Sequence, residues 1–258
     1  MREPPEPRRT FIDSRASYRR LLKSLPLSEF FVERGPVAEG QRALAVVLDS
    51  GHERDAQRAL EDHPRLLIHN LCTQIGWVVP QKRLGSEYVT DFLIAERLSP
   101  GFYWQAVELE SPKAPMFTKS GDPSRQLTHA IRQVQDWRTW IASNQAYASR
   151  SRRENGLGLE EISPNLPGLI LIGRRHAVDP ATNALRRQMM SDLRIEIRTF
   201  DSLLDDARSL PLYAKFSDLA LESGFRLGAP ANKPLQRLWS PQGHRRKIAV
   251  PARRRPDR

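Results

Sequence analysis

Three carboxylic acids in the middle of the chain have the types and spacing of residues that could do chemistry. Glu108 and Glu110 alternate with the apolar residues Val107 and Leu109. Because side chains alternate between the two faces of a strand, both glutamates are predicted to share one face. Asp91 precedes them in a second run that favours a strand. Carboxylates clustered in this way need a cation or a proton to compensate their charge.

This arrangement suits a divalent metal ion. Mg²⁺ takes oxygen ligands, keeps several waters and commonly binds one or two carboxylates together with a phosphate oxygen. Such an ion lowers the pKa of a bound water and neutralises charge that develops on a phosphodiester. The alternative is that Glu108 and Glu110 form a solvent-exposed face. Asp91 fits that alternative less well, because Val89 and Leu93 are predicted to share its face and a lone buried carboxylate is costly.

The elements that must position these acids are predicted from periodicity and from turn residues. The first half of the domain is predicted to contain a helix over Glu53–Asp62, a short helix over Leu66–Cys72, and strands over Gly76–Val79, Tyr88–Ile94 and Trp104–Glu110. A long helix capped by Asp122–Ser124 follows, and its apolar stripe consists of Leu127, Ile131, Val134, Trp137 and Ile141. The remaining predicted elements are a buried strand over Gly168–Gly173, a helix over Ala181–Asp192, a strand over Ile195–Phe200 and a last helix over Asp201–Leu210. This order predicts an α/β fold: one domain, over residues 45–212, with a mixed central sheet flanked by helices.

Both ends of the chain differ from this middle region. Residues 1–44 are predicted to be a short, largely disordered N-terminal extension, and residues 213–258 a disordered, basic tail rich in proline and arginine. The formal net charge is +11, and much of it lies in the tails: residues 233–258 hold nine basic side chains against one acid. Such tails either attract a polyanion without sequence preference or are simply solvated.

The remaining composition excludes several classes of protein. The 258-residue chain has no apolar run long enough to span a membrane, and its first residues lack the apolar segment of a signal peptide, so we expect a cytoplasmic protein with no membrane partner. The single cysteine, Cys72, rules out an intramolecular disulfide and is predicted to be a small core residue. The sequence also lacks the glycine-rich phosphate loop and the nucleophile elbow, so neither nucleotide hydrolysis nor serine catalysis is expected.

A family resemblance enters through the acids and their surroundings. An Asp, then Glu-x-Lys on the next strand, then a helix with Gln is the pattern of the PD-(D/E)XK nuclease superfamily. Within it, the segments that resemble the Shedu-type domain are Arg83–Ile94, Val107–Lys113, Phe117–Arg138 and Gly168–Arg175. The resemblance spans roughly Glu53 to Leu210. Shedu proteins are bacterial antiphage defence factors, so it implies a PD-(D/E)XK fold and a homo-oligomer that cleaves or nicks DNA with Mg²⁺ or Mn²⁺.

The resemblance also assigns roles to individual residues. Asp91 matches the first acid of the motif and Glu108 the second, and both are therefore expected metal ligands. Gln133 lies in a helical segment similar to the glutamine element of related nucleases. It is expected to orient a water or a phosphate, unless it is an ordinary glutamine on the helix surface.

Glu110 departs from the superfamily pattern, which usually has lysine at this position. The glutamate could be a further metal ligand, a general base or the mark of a weakened active site. Lys113 or Lys119 could supply the missing cation from another backbone position, although the simpler interpretation of each is an ordinary surface or phosphate-contacting lysine. The main alternative function is therefore a protein of nuclease fold that binds nucleic acid without cutting it. A hydrolase acting on sugars through paired carboxylates fits the acids but not the basic tails.

Three further features are weaker candidates. Glu61 matches the place where some superfamily members have an extra acid, and His129 lies on the helix of the expected site. Arg174 and Arg175 follow the buried strand and could contact a phosphate backbone. For each of them a surface role is the simpler interpretation.

Overall fold

The computed structural model describes residues 27–68 and 75–205. The chain divides into two units, Met1–Ala214 and Lys215–Arg258, and every described residue belongs to the first. The helices are α1 (Ala38–Ser50), α2 (Glu53–Asp62), α3 (Arg125–Ser149) and α4 (Asn183–Leu193). The strands are β1 (Phe31–Glu33), β2 (Ile75–Pro80), β3 (Arg83–Leu84), β4 (Tyr88–Val89), β5 (Phe92–Leu98), β6 (Gly101–Leu109), β7 (Gly168–Leu171) and β8 (Ile195–Arg198).

Six of the strands form one mixed sheet in the order β1-β2-β5-β6-β7-β8, while β3 and β4 pair separately. The pairs β1–β2, β2–β5 and β5–β6 are antiparallel, and the pairs β6–β7 and β7–β8 are parallel. In register, Glu108 of β6 lies opposite Ile170 of β7, which lies opposite Ile197 of β8. The carboxyl ends of β6, β7 and β8 therefore lie at the same edge of the sheet.

Helices cover both faces of the sheet, so the described residues form three layers. Alternate sheet residues such as Ala106 and Ile170 pack with Val134 of α3 in one hydrophobic cluster. Their neighbours, such as Val107, pack with Leu48 of α1 in the other cluster. Period-two alternation on the strands thus separates two cores, as expected for a sheet buried on both sides.

The long helix α3 begins with a side-chain cap and is held in place by one arginine. Ser124 Oγ accepts a hydrogen bond from the Leu127 amide at 3.0 Å, which satisfies one of the free donors of the first turn. Midway along the helix, the Arg138 guanidinium donates to three backbone carbonyls at 2.8 to 2.9 Å, those of Leu166, Leu193 and Arg194. These carbonyls come just before β7 and β8, so one side chain fixes the helix relative to the starts of both parallel strands.

The predicted α/β architecture, with helices flanking a mixed sheet, is confirmed. The predicted helix Glu53–Asp62 matches α2, and the predicted helix after Asp122–Ser124 matches α3. The continuous strand predicted over Tyr88–Ile94 is wrong: the chain bends at Thr90 and Asp91, so that β4 and β5 belong to different sheets. The amides of Thr90 and Gln81 bond to the carbonyls of Lys82 and Asp91 at 3.0 and 2.8 Å, which closes this bend.

Two elements were not predicted, β1 and α1. Strand β1 pairs with β2 at the edge of the sheet, and α1 buries Leu44 and Leu48 against it. A 3-10 turn at Pro64–Leu66 precedes most of the helix predicted over residues 66–72, and residues 69–74, with Cys72, lie outside the described residues. Within the described residues, no helix has the length and apolarity needed to cross a membrane.

Candidate functional site

The three predicted acids come together where β5 begins and β6 ends. Phe92 pairs with Val107, so Asp91, which precedes β5, stands beside the last residues of β6. One carboxylate oxygen of Asp91 accepts a hydrogen bond from the Leu109 amide at 2.7 Å. This bond holds the aspartate beside Glu108. In the sequence the two acids belong to separate strands, and the antiparallel pairing makes them neighbours. We call Asp91, Glu108 and Glu110 the carboxylate cluster.

Two side chains of α3 contact the glutamates of the cluster. The Gln133 amide donates to Glu108 Oε1 at 3.3 Å, and His129 Nδ1 lies 3.2 Å from Glu110 Oε1. Both glutamates are buried, and the backbone amide of Glu110 donates to the Leu171 carbonyl at 2.9 Å, which fixes the residue at the sheet edge. His129 and Gln133 are four residues apart, so they lie on one face of the helix. That face of α3 forms one wall of the site.

Glu108, Glu110 and His129 form a geometric group that could hold a metal ion. Each offers one ligand atom, and these atoms all lie within 4.8 Å of one another. Two carboxylates and an imidazole are suitable donors for a divalent cation. The predicted ligand Asp91 is not in this group but adjoins it through a hydrogen bond with Glu108. The donor chemistry therefore fits the metal that the resemblance implies.

The electrostatics of the cluster are those of excess negative charge. Burial raises the pKa of Glu108 to about 10, and the charges of Asp91 and Glu110 add to the effect. Burial also raises the pKa of Asp91, against the hydrogen bond from the Leu109 amide, which favours its ionised form. For Glu110, burial raises the pKa while the hydrogen bond with His129 lowers it. The cluster therefore retains a proton near neutral pH, and a bound cation would displace that proton.

Helix α2 brings further polar residues to the cluster at spacings of four. Partial burial of the Glu53 carboxyl group raises its pKa, and the negative charge of Asp91 raises it further. Gln57 is buried, and its amide donates to Glu61 Oε1 at 2.7 Å and to the Asp91 carbonyl at 3.4 Å. Among the described residues, Gln57 Oε1 is a buried acceptor with no hydrogen-bond partner. The polar stripe of α2 therefore faces the same site as α3.

Lys113 does not join the carboxylate cluster. Its ammonium group donates to the Ser50 carbonyl at 2.9 Å, and the Ser111 hydroxyl donates to the Gly51 carbonyl at 2.8 Å. Ser50 is the last residue of α1, and a cation is favourable at the carboxyl end of a helix. These bonds tie the loop after β6 to α1, and they give Lys113 a role in holding the end of that helix.

Arg174 and Arg175 also have partners other than the cluster. Arg174 Nε contacts the two carboxylate oxygens of Asp201 at 3.2 and 3.1 Å, and its Nη1 reaches Asp49 at 3.2 Å. Arg175 forms an ion pair with Asp205. We call Arg174, Asp49 and Asp201 the arginine clamp. It joins the segment after β7 to the end of α1 and to the segment after β8.

Sequence reasoning missed the contributions of Glu53 and Gln57 and gave His129 only a minor place. The signal for the first two was present, because Glu53, Gln57 and Glu61 share one face of a helix that was correctly predicted. Which sheet edge that face meets depends on long-range packing. The contact between Gln57 and Asp91 joins residues 34 positions apart, and no local pattern specifies it.

The family model described as Shedu protein SduA, C-terminal, matches residues 50–204, which is more than half of the chain and includes every residue of the site. This confirms the predicted resemblance. No curated protein matches the chain.

Among solved structures, the chain is similar to the restriction endonuclease FokI bound to DNA. The two are 12% identical with a TM-score of 0.34, and the match covers 80% of this chain and 31% of that chain. The chain thus spans about a third of the length of that structure. A TM-score this low supports no inference about function, so the family assignment rests on the sequence match.

Proposed function

The chain belongs to the Shedu family through the C-terminal region of its members, and from this premise we propose that it is a divalent-metal-dependent endonuclease. It would cleave or nick DNA in defence against phages, as the family resemblance implies. The same resemblance favours a homo-oligomer. One observation supports the proposal most: buried carboxylates with raised pKa values meet beside an imidazole at one sheet edge.

The residues of the site divide into those that would hold the metal and those that position them. Glu108 and Glu110 would bind it, with Asp91 beside Glu108 and His129 as a further donor. The metal, when bound, supplies an activated water and a positive charge beside the phosphodiester. Gln133 holds Glu108 through its amide, and the Leu109 amide holds Asp91. Such supporting bonds fix ligand orientation, and losing one typically costs about 10- to 100-fold in metal affinity or activity.

Glu110 changes how charge is balanced relative to the superfamily pattern. Where a lysine would add a cation, this chain has an acid that contacts His129, and Lys113 is bonded to Ser50 instead. We infer that Glu110 and His129 act together as ligands or as the groups that position water. Glu110 thereby has a role of its own and is not a simple loss of the lysine.

The second candidate function, binding of nucleic acid without cleavage, is favoured by the glutamate at position 110, where the superfamily usually has lysine. No lysine contacts the carboxylate cluster through an ion pair within the described residues, so the cation that the superfamily uses is missing from the site. The two candidates differ in one measurable property, which is metal-dependent breakage of DNA.

The decisive experiment incubates supercoiled plasmid with purified protein, with Mg²⁺, with Mn²⁺ or with a chelator. We expect conversion to open-circle or linear DNA with metal only, and loss of that conversion in Glu108→Ala. Glu154→Ala is the control, because Glu154 is exposed in a 3-10 turn, is not part of the carboxylate cluster and undergoes the same truncation. If the wild type binds DNA but leaves the plasmid supercoiled with either metal, the second function is the correct one.

Glu110→Lys tests the role of the unusual glutamate. Placing a lysine beside His129 removes a metal ligand and adds a cation, so we expect cleavage to fall about tenfold or more. Higher activity in this variant would instead mean that the natural site is weakened by its glutamate. His129→Gln in the same assay measures whether the imidazole contributes.

A further inference from the structure

A second polar cavity lies at the carboxyl end of β8, away from the carboxylate cluster. Its volume is about 460 Å³, and its polar lining includes three arginines and a serine. We call Arg175, Arg186, Arg198 and Ser202 the arginine pocket. No aspartate or glutamate lines it. We propose that the arginine pocket binds a phosphate group of the DNA backbone.

The charge in the pocket is only partly compensated by the protein. Arg175 pairs with Asp205 and Arg198 with Glu196, both of them acids outside the lining. Arg186, on α4, is half-buried and donates through Nε to the Ile197 carbonyl at 2.8 Å. Within the described residues it has no acidic partner. Burial and the neighbouring charge of Arg198 lower the pKa of Arg186, as expected for a cation held without an anion.

A hydroxyl in the same pocket lacks a partner as well. Ser202 Oγ is buried and forms no hydrogen bond within the described part of the chain. A buried hydroxyl without a partner is costly, whereas a phosphate oxygen could accept its proton. Guanidinium forks and hydroxyl donors together are the groups that proteins use to bind phosphate. The two independent features, an uncompensated guanidinium and an unsatisfied hydroxyl, therefore point to one ligand.

The position of the pocket relative to the carboxylate cluster suits a single bound nucleic acid. Glu108, Ile170 and Ile197 form one row across three parallel strands, and Arg186 of the pocket donates to the backbone carbonyl of Ile197. Two strand spacings separate the ends of the row by about 10 Å. Phosphates of one strand recur about every 3.4 Å along a duplex, so DNA at the cluster would place another phosphate within reach of the pocket. This inference rests on the proposed DNA substrate, and it does not require cleavage.

The test measures DNA binding in chelator, so that cleavage plays no part. A short fluorescent duplex is titrated with wild type, Arg186→Gln and Arg187→Gln over a range of salt concentrations. Arg187 is the matched control, because it lies next to Arg186 on α4 but is exposed and outside the pocket. We expect Arg186→Gln to reduce the slope of log affinity against log salt by about one, and the affinity by about eightfold at about 0.1 M salt.

Ser202→Ala provides a variant that should keep the fold, since it removes only an unsatisfied hydroxyl. We expect it to bind the duplex several-fold more weakly than wild type, with an unchanged melting temperature. Equal salt slopes for Arg186→Gln and Arg187→Gln would overturn the proposal. If the protein does not cleave plasmid but the salt slopes of the two arginine variants differ as expected, the phosphate-binding role of the pocket is supported and the nuclease function is contradicted.

A thermal-shift arm at constant ionic strength separates the two sources of phosphate. One outcome is that inorganic phosphate raises the melting temperature of wild type but not of Arg186→Gln, while the two arginine variants have equal salt slopes for DNA binding. That result would assign the pocket to a free phosphate and overturn the DNA proposal. A slope difference with or without that shift supports the backbone contact.

Discussion

The carboxylate cluster and the arginine clamp lie at the same edge of the sheet, but the pKa values of their acids are shifted in opposite directions. In the clamp, Arg174 is shared between Asp201 and Asp49. Burial alone would raise the pKa of Asp201, but the hydrogen bonds from Arg174 and from the Arg175 amide outweigh it and hold the pKa below its usual value. In the cluster, burial raises the pKa of all three acids.

The difference separates a structural site from a candidate functional one. Opposite charges that form ion pairs within the chain need no ligand to neutralise them. Acids that lie close together repel one another unless a bound cation or a proton neutralises part of their charge. Both groups lie at the edge of the sheet where the parallel strands end, so location alone does not distinguish them. The balance of charge does.

The largest expected effect is on activity, from neutralising the cluster. Glu108→Gln keeps the shape of the side chain but removes a metal ligand, and we expect plasmid cleavage to fall by about 100-fold or more. Its free energy of unfolding near neutral pH should stay about the same, because Glu108 already carries a proton there and glutamine resembles that neutral form. A variant that cleaves normally, or that loses stability in urea denaturation, would contradict this account of the cluster.

The same chemical change in the clamp should have the opposite effect on stability. Asp201→Asn leaves Arg174 without its main carboxylate, and Asp201 is largely buried, with 18% of its side chain exposed. We expect the free energy of unfolding to fall by about 2 kcal/mol. Urea denaturation measures the change, and Asp136→Asn is a suitable control because Asp136 is more exposed, in a helical ion pair on α3. Equal stability of the Asp201 and Asp136 variants would remove the contrast between clamp and cluster.

The pH dependence of stability should differ in sign between the two regions. The folded-state pKa of Glu108 is raised to about 10, so the stability it contributes is full below its unfolded pKa, near about 4.3, and is lost as pH rises toward 10. The pKa of Asp201 is lowered, so its contribution is present above about pH 4 and is lost as pH falls.

We therefore expect the unfolding free energy of the wild type to decrease from pH 6 to pH 9 by at most about 4 kcal/mol, since one retained proton contributes about 1.4 kcal/mol per pH unit, and that of Glu108→Gln to decrease by less. Added Mn²⁺ should stabilise the wild type more at pH 9 than at pH 6, because the metal and the proton compete for the same carboxylates. Denaturation curves at the two pH values, with and without metal, measure both effects. Identical pH slopes in the two proteins would mean that Glu108 does not retain a proton.

The smallest expected effect comes from changing the geometry of the clamp while keeping its charge. Arg174→Lys retains a cation but cannot contact Asp201 with several donors and reach Asp49 at once. We expect a loss of about 1 kcal/mol in unfolding free energy and no change in plasmid cleavage. A drop in cleavage at unchanged stability would place the clamp in the functional site.

Much of this arrangement could be predicted from sequence where local periodicity carries the information. The stripe of Leu127, Val134 and Trp137 specified α3, and alternation specified that Glu108 and Glu110 share a face. The strand break at Asp91 could not be predicted in this way. The residues at the bend have the composition of a strand, and the backbone bonds that close it, from Thr90 to Lys82 and from Gln81 to Asp91, leave no periodic signal in the sequence.

The missed elements illustrate the same limit. Strand β1 has only three residues, too few for an alternating pattern to stand out, and it is stabilised by pairing with β2. Helix α1 has Gly40 in its first turn, where the Cβ of any other residue would meet His63, and this glycine lowered the local helix signal. Packing against residues far along the chain specifies these elements.

The mixed sheet has a consequence for how the protein is made. Its antiparallel strands β5 and β6 pair across a tight turn and can meet as soon as they are synthesised. The parallel strand β7 covers the other edge of β6 only after the whole of α3 has been made, and β8 follows later still. Until then the strand that carries Glu108 has an open edge, able to pair with another nascent chain. The edge of β6 therefore stays open from its own synthesis until β7 has been made.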